Sequence, residues 1–433
     1  MSTIELGEIS SAPGAEQPTE FDLRLIRQVA LAVSLLLCLV GAAGSARPAP
    51  HGVRPLWSVP ISESDGTTLG PDTLYLHQGS SLVAYDLATG AVRWRTAIDG
   101  TLGYAQLAEA DGLLLLPADA QTGRQGNMST QFSRSTVAIA ARTGARLWTA
   151  PGEPMVVAGG TVLMADYTGS GTYARLRLIR LDNQRTIWQR DVAAVASVAF
   201  AMVEDTPVKV VTVDGDGQAE VLRFTDGTVT ARARIDWARP QPDHGQFNDV
   251  AASGDHLVVN RNQQGRGELS VYRLDTLDPL WRADGTDGFA FPCGSGICLS
   301  NGSGLTSYDA DDGRARWHVP GTGNGWSPTP DRVVVDEPGE AGQQYLIDAE
   351  TGRRVGENSP GETVWNTEPD QALLVLKPTE TPPERTSITR WDLATGRRDL
   401  LGAIDRIVVN RCQAVAHYLG CYQNDKYTIT AVG

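Results

Sequence analysis

Four cysteines stand in two close pairs, Cys293 with Cys298 and Cys412 with Cys421, and their type and spacing suggest chemistry more directly than any other residues in the chain. Each pair brackets a short turn, Cys293-Gly-Ser-Gly-Ile-Cys298 and Cys412…Tyr418-Leu-Gly-Cys421, and a strand follows. Opposed positions of a β-hairpin bring Cα atoms to about 5.5 Å, within disulfide reach. Four separate buried thiols would leave the pairing unexplained. Zinc fits poorly, because no second Cys or His lies at ligand spacing. An even cysteine count beside an export segment points to an oxidising compartment. The fifth, Cys38, lies in an apolar run, and Leu37 precedes it where a lipid-attachment signal needs a small residue.

Other candidate chemistry is thinner. Asp214-Gly-Asp216-Gly-Gln218-Ala-Glu220 has oxygens at the spacing of a calcium loop but lacks the remaining ligands, and Asp-Gly between strands is first a hairpin signal. Asp309-Ala-Asp311-Asp312-Gly313 falls on a repeated turn. The six histidines, at positions 51, 77, 244, 256, 318 and 417, show no Ser/His/Asp or His-x-x-x-His arrangement. Asn127-Met-Ser129 and Asn301-Gly-Ser303 fit the glycosylation pattern. No catalytic, cofactor-binding or metal-binding residue is therefore expected, and the chain is read as a non-enzyme without a cofactor.

The elements that would position these residues are strands. Hydrophobic residues make up 41% of the chain, enough for a folded core, and 46 glycines and 24 prolines are dispersed as an all-β protein with frequent turns requires. The net charge of −14 and the absence of an Arg stripe interleaved with aromatics argue against nucleic-acid binding.

Near the N-terminus, 19 uncharged residues from Gln28 to Ala46 lie between Arg27 and Arg47. As a helix they would reach about 28 Å, close to the roughly 30 Å of a bilayer core. Gly44-Ser45-Ala46 resembles a cleavage site, but residues 1–23 form an acidic polar tail in place of a basic leader. The expectation is a polar tail over 1–23, a retained signal-anchor helix over 24–46, a Pro-rich linker over 47–55 and a single folded region over 56–433. Basic residues flank the span almost evenly, so orientation rests on the cysteines, which place that region outside the cytoplasm.

That region repeats. Leu82-Val-Ala-Tyr-Asp-Leu-Ala-Thr-Gly-Ala-Val-Arg-Trp94, Thr136 to Trp148 and Leu305 to Trp317 share one plan. Leu176 to Trp188 and Leu269 to Trp281 have altered turns, while Glu220 to Ala231, Gln344 to Gly356 and Ser387 to Leu400 lack the Trp. Trp57 stands on a strand without its turn. Trp57, Trp94, Trp148, Trp188, Trp281 and Trp317 thus mark one register, and with positions 231, 356 and 400 they give nine marks spaced 36 to 54 residues apart. A strand ends in Asp-x-x-Thr-Gly, as at Asp86–Gly90, Asp348–Gly352 and Asp392–Gly396, whose side chains and positive-φ Gly turn the chain, and a second strand returns, in the full copies with an indole placed against the next unit. A further apolar run, such as Leu257-Val-Val-Asn260, and one more strand make four per unit, which is a propeller blade. Strands expected over Ile404–Val409, Ala414–Leu419 and Tyr427–Val432 lack a Trp strand, which Leu56–Val59 could supply, pinning the termini together.

These residues resemble the PQQ-like, or quinoprotein-type, propeller repeat: strand, Asp-Ala-x-Thr-Gly, Lys/Arg-x-x-Trp. The resemblance covers residues 55–433 and implies a propeller of four-stranded blades, most often eight, with seven or nine as the alternatives. One branch of the family, the quinone-cofactor dehydrogenases, carries an adjacent Cys-Cys pair over its cofactor, and no position here matches it. Nor does a Cys-x-x-Cys-His haem site occur. The other branch comprises non-enzymatic scaffolds, such as the lipoprotein of the outer-membrane protein assembly machinery, and this chain resembles that branch with a helix in place of a lipid. It implies a membrane-anchored, extracytoplasmic interaction or scaffold module, held in the plasma membrane through residues 28–46 with a protein partner in the cell envelope. A dehydrogenase with an atypical pocket and a small-ligand sensor are the alternatives. Gln121–Ser133 and Trp237–Asn248 are expected to be contact loops.

Overall fold

A computed structural model describes residues 52–433, apart from 63–64, 99–107, 111, 126–127, 205, 239–246, 264–265, 285–287, 322–323, 338–341, 367–371 and 409–410. The tail, the anchor expected over 24–46 and the linker up to His51 lie outside the described residues. No described helix is long and apolar enough to cross a membrane. The described residues contain no α-helix; they are all-β, in eight hydrogen-bonded sheets, six of them four-stranded.

The sheet formed by Gly66–Leu69, Thr73–Gln78, Ser81–Asp86 and Val92–Ala97 shows the pattern. Its strands follow in chain order, each antiparallel to the last. A seven-stranded sheet joins two such runs through the long strand Thr186–Val203. That strand pairs with Tyr173–Arg180 up to Val195 and with Thr206–Asp214 from Val195 onward. The last sheet joins both ends of the chain. Val53–Pro60 lies antiparallel to Lys426–Val432, followed by Tyr418–Gln423 and Cys412–Val415. The strand begins at Val53, three residues inside the stretch read as linker. At the C-terminus, the strand expected over Ala414–Leu419 divides, because Ala416 adopts positive φ and turns the chain there. Ile404 instead belongs to the preceding sheet's outer strand, Arg398–Asp405, which stops short of the strand expected over Ile404–Val409.

Apolar side chains are buried between sheets, as the two-sided hydrophobicity of these strands requires. Leu82, Ala84 and Trp94 pack on Leu114, Leu116 and Val137 of the following sheet. The order of such contacts is circular: the C-terminal sheet packs on its predecessor through Ile388, Ile404 and Leu419, and on the first full sheet through Leu74, Val83, Val415 and Ile429.

The turn logic is visible in atoms. Asp86 accepts from the Thr89 backbone N–H at 2.9 Å and from its hydroxyl at 2.8 Å, and Gly90 follows at φ 72°. Asp348 with Thr351 and Asp392 with Thr395 repeat it. Each registered indole docks on the turn of the next four-stranded run, which for Trp188 is the second run of the seven-stranded sheet. Trp57 donates to the Leu87 carbonyl at 2.8 Å, Trp94 to Ala141 at 2.7 Å, Trp148 to Leu181 at 3.1 Å, Trp188 to Phe224 at 2.7 Å, Trp281 to Ala310 at 2.8 Å and Trp317 to Ala349 at 3.0 Å.

Losses of the motif are matched across the interface. Where Ala231 replaces Trp, the facing turn carries buried Leu277 at φ 60° in place of Gly, and the two share one cluster. Where Gly356 replaces Trp, the facing Gly396 comes so close that a Cβ on Gly356 would lie 2.6 Å from the Gly396 Cα. Backbone contact substitutes there for the indole.

Candidate interaction surface

The first strand of each sheet is an edge, and edges tolerate proline because one row of N–H groups has no ladder partner. Gly288–Cys293 and Gly325–Thr329 are two such first strands in successive sheets, and both carry proline, Pro292 and Pro328. Pairing of the second strand skips from Trp326 to Thr329 across Pro328. Between these strands lies a cleft of about 400 Å³ lined by Phe289, Phe291, Pro292, Trp326, Pro328 and Pro330. Phe291 is buried, whereas Phe289 is 55% exposed, and their rings stack at 6.0 Å. An exposed large aromatic beside an apolar cleft is what a contact surface looks like before a partner covers it.

The cleft is held rigid from one side. Cys293 and Cys298 form a disulfide with Cα atoms 5.6 Å apart, closing the turn whose Gly294 also lines the cleft. Gly294 N–H donates to the Pro330 carbonyl at 2.7 Å, tying that turn to the neighbouring sheet. Ser295 donates to Glu350 from its backbone N–H at 2.6 Å and from its hydroxyl at 3.0 Å, and Arg316 forms an ion pair with the same carboxylate. Partial burial pushes the Glu350 pKa up, but the Ser295 N–H and Arg316 outweigh it and hold the carboxyl below its usual value.

The remaining candidates do not converge. Cys412 and Cys421 are directly opposed across two strands, with Cα atoms 4.2 Å apart, and clamp the sheet that closes the ring. Asp214 accepts from the N–H groups of Asp216 and Gln218, the work of a turn residue. Among the described residues no group of three or more His, Cys, Asp or Glu could hold a metal. His256 pairs with Asp311 at 3.0 Å, His318 with Thr306 at 2.8 Å, and His77 is buried, with a pKa lowered by that burial. His51, His244 and Asn127 lie outside the described residues.

The first expected contact loop proves to be ordered strand. Leu113–Gln125 and Met128–Ala140 continue as one antiparallel pair through Gln121↔Phe132 and Gly123↔Thr130. Alternation there is weak, so the sequence reads as loop, yet the hairpin buries Phe132 against Tyr167 at 5.1 Å. Burial raises the pKa of both Tyr167 and the adjacent Tyr173. Of the second loop only the ends are described: Asn248 bonds to both the N–H and the carbonyl of Ala238. Sequence reasoning missed Phe289 and Trp326. The available signal was a pair of aromatic-and-proline edge strands, Phe289-Ala-Phe-Pro292 and Trp326-Ser-Pro328.

Comparison with known proteins adds the following. A family model described as "Outer membrane protein assembly factor BamB" matches residues 51–190 and 133–358. No curated protein matches the chain. Among solved structures, BamB from Moraxella catarrhalis is 13% identical, covering 88% of this chain and 99% of its own, with a TM-score of 0.42. A eukaryotic initiation factor is 11% identical, covering 84% and 93%, with a TM-score of 0.52. The computationally designed Ika8 protein is 12% identical, covering 88% and 98%, with a TM-score of 0.46. At these identities the likeness is one of fold.

Proposed function

This chain belongs to the family of PQQ-like propeller repeat proteins described as outer membrane protein assembly factor BamB, and from that premise we propose that it is a non-catalytic scaffold held at a membrane by residues 24–46. The propeller works outside the cytoplasm, where the cysteine pairs are stable as disulfides, and presents the Phe289–Trp326 cleft to a protein partner of the cell envelope. A family of BamB-like propellers supports protein–protein interaction in general. The observation that carries the reading for this chain is Phe289, 55% exposed on an apolar cleft whose rim is braced by a disulfide. Truncating a central aromatic anchor of such a surface commonly costs more than about 2 kcal/mol of binding.

The ring is proposed to have nine blades. The seven-stranded sheet counts as two four-stranded runs, which with six four-stranded sheets and the closing sheet gives nine, against nine apolar clusters between them among the described residues. Eight, the family's commonest number, would leave one of those interfaces unassigned.

The test is a photo-crosslinking residue at position 289 of the full-length protein in intact cells. One discrete adduct is expected at 289, none at exposed Val92 on an outer strand, and loss of the adduct from a second probe at 328 when Phe289→Asp is introduced. Equal labelling from 289 and 92 would remove the cleft from consideration.

A further inference from the structure

The interface between the sheets spanning 325–360 and 362–405 is the one at which the indole has been replaced by a Gly–Gly backbone contact. Deeper in, the two sheets pack through Val334, Leu346, Val375 and Trp391 like their counterparts. With no indole at the Gly–Gly contact, a cleft of about 520 Å³ opens beside Gly356 and Gly396, with Thr389 on its wall. That volume lies in the range of small-molecule sites.

Its wall is assembled from charged and hydroxyl groups: Ser359, Lys377, Thr389, Arg397 and Arg398, with Glu357. Arg398 is paired with Glu357 at 2.8 Å and Arg397 with Asp399 at 2.9 Å. Lys377 makes no ion pair among the described residues, so the site carries one uncompensated positive charge on a chain of net charge −14. Ser359 is only 1% exposed, and its hydroxyl has no hydrogen-bond partner among the described residues although it lines the cleft. A buried polar atom left unpaired is costly, and on a cavity wall it is matched by a ligand with polar groups of its own.

We propose that this cleft binds a small hydroxylated ring bearing one negative charge, a hexuronate. The carboxylate meets the Lys377 ammonium, and the ring hydroxyls bond to Ser359, Thr389 and the free N–H groups of Arg397 and Arg398. A neutral sugar lacks the charge, and a simple anion lacks the hydroxyls.

The experiment is calorimetric titration of the full-length protein in detergent with sodium glucuronate, glucose, acetate and inorganic phosphate. Saturable binding of glucuronate is expected, with glucose and acetate each at least about tenfold weaker. Lys377→Met, at an exposed side chain, weakens glucuronate about tenfold, and Ser359→Ala about threefold. Should Lys377→Met lower the melting temperature, Thr389→Val, nearly isosteric, replaces it and loses about threefold. Absence of saturation, acetate or phosphate binding as tightly as glucuronate, or unchanged affinity in a normally folded Lys377→Met or Thr389→Val protein would overturn the assignment.

Discussion

Replacing Gly227 with alanine tests whether the indole–glycine docking holds successive four-stranded runs together. Gly227 sits at φ +68°, and a Cβ there would lie 2.6 Å from Cδ2 of Trp188, whose indole N–H donates to the Phe224 carbonyl at 2.7 Å. Two separate costs follow. A left-handed backbone costs a Cβ-bearing residue about 1–2 kcal/mol. Driving a methyl into a packed indole adds about 1–3 kcal/mol, because Trp188 is 8% exposed and cannot step aside. Gly79 supplies the control, since it has φ +55° with nothing within 4 Å of the added Cβ, so Gly79→Ala carries the backbone cost alone. Urea unfolding monitored by far-ultraviolet circular dichroism should show a lower midpoint at unchanged slope for both, with Gly227→Ala falling by the larger amount. In a Trp188→Ala background the methyl has room, so Gly227→Ala should revert to about the cost of Gly79→Ala, a coupling of about 1–3 kcal/mol. If Gly227→Ala cost the same with and without the indole, the steric account of the docking would be wrong.

Two further outcomes follow from the geometry. Cys412→Ser/Cys421→Ser removes the clamp on the closing sheet and should lower stability by about 2–4 kcal/mol, read as a melting temperature that falls further with reductant in the parent than in the double variant, which keeps Cys293–Cys298. Acid should also weaken the turns. Asp86 is held below its ordinary pKa chiefly by Arg93 and then Thr89, Asp348 chiefly by the Thr351 hydroxyl, and Asp392 chiefly by the Thr395 hydroxyl. A carboxyl whose folded pKa lies below its unfolded value contributes stability that is complete above the unfolded pKa and vanishes as pH falls through the folded one. Melting temperature should therefore decline below about pH 4 as these carboxyls protonate, beyond any loss that buried His77 causes below about pH 6.5, with Asp392→Asn showing a shallower decline in the acid range.

The repeat was legible in the chain because its determinants are local. Asp86, Thr89 and Gly90 turn the backbone with atoms three and four residues apart, so any copy declares itself in sequence, and the recurring Trp declares the strand that follows. The closing strand around Trp57 and the pairing of the cysteines were legible for the same reason, as a strand lacking its turn and as residues flanking one. Degenerate copies were not interpretable in that way. Whether Ala231 leaves a hole depends on Leu277, 46 positions later, and whether Gly356 does so depends on Gly396, so the compensation exists only across an interface.

The long hairpin through Gln121 and Phe132 belongs to this second class, since its polar strands are stabilised by burying one ring on Tyr167 of another sheet. The apolar cleft and the polar one belong there too. Each is lined by residues of two sheets that stand tens of positions apart, and it is the spacing of those sheets that leaves Phe289 uncovered and Ser359 buried without a partner among the described residues. Sequence alone determined the unit and the order of units, because hydrogen-bonded turns and alternating strands are short-range. Tertiary structure decided what surface remains between them, because packing volume is a property of facing pairs.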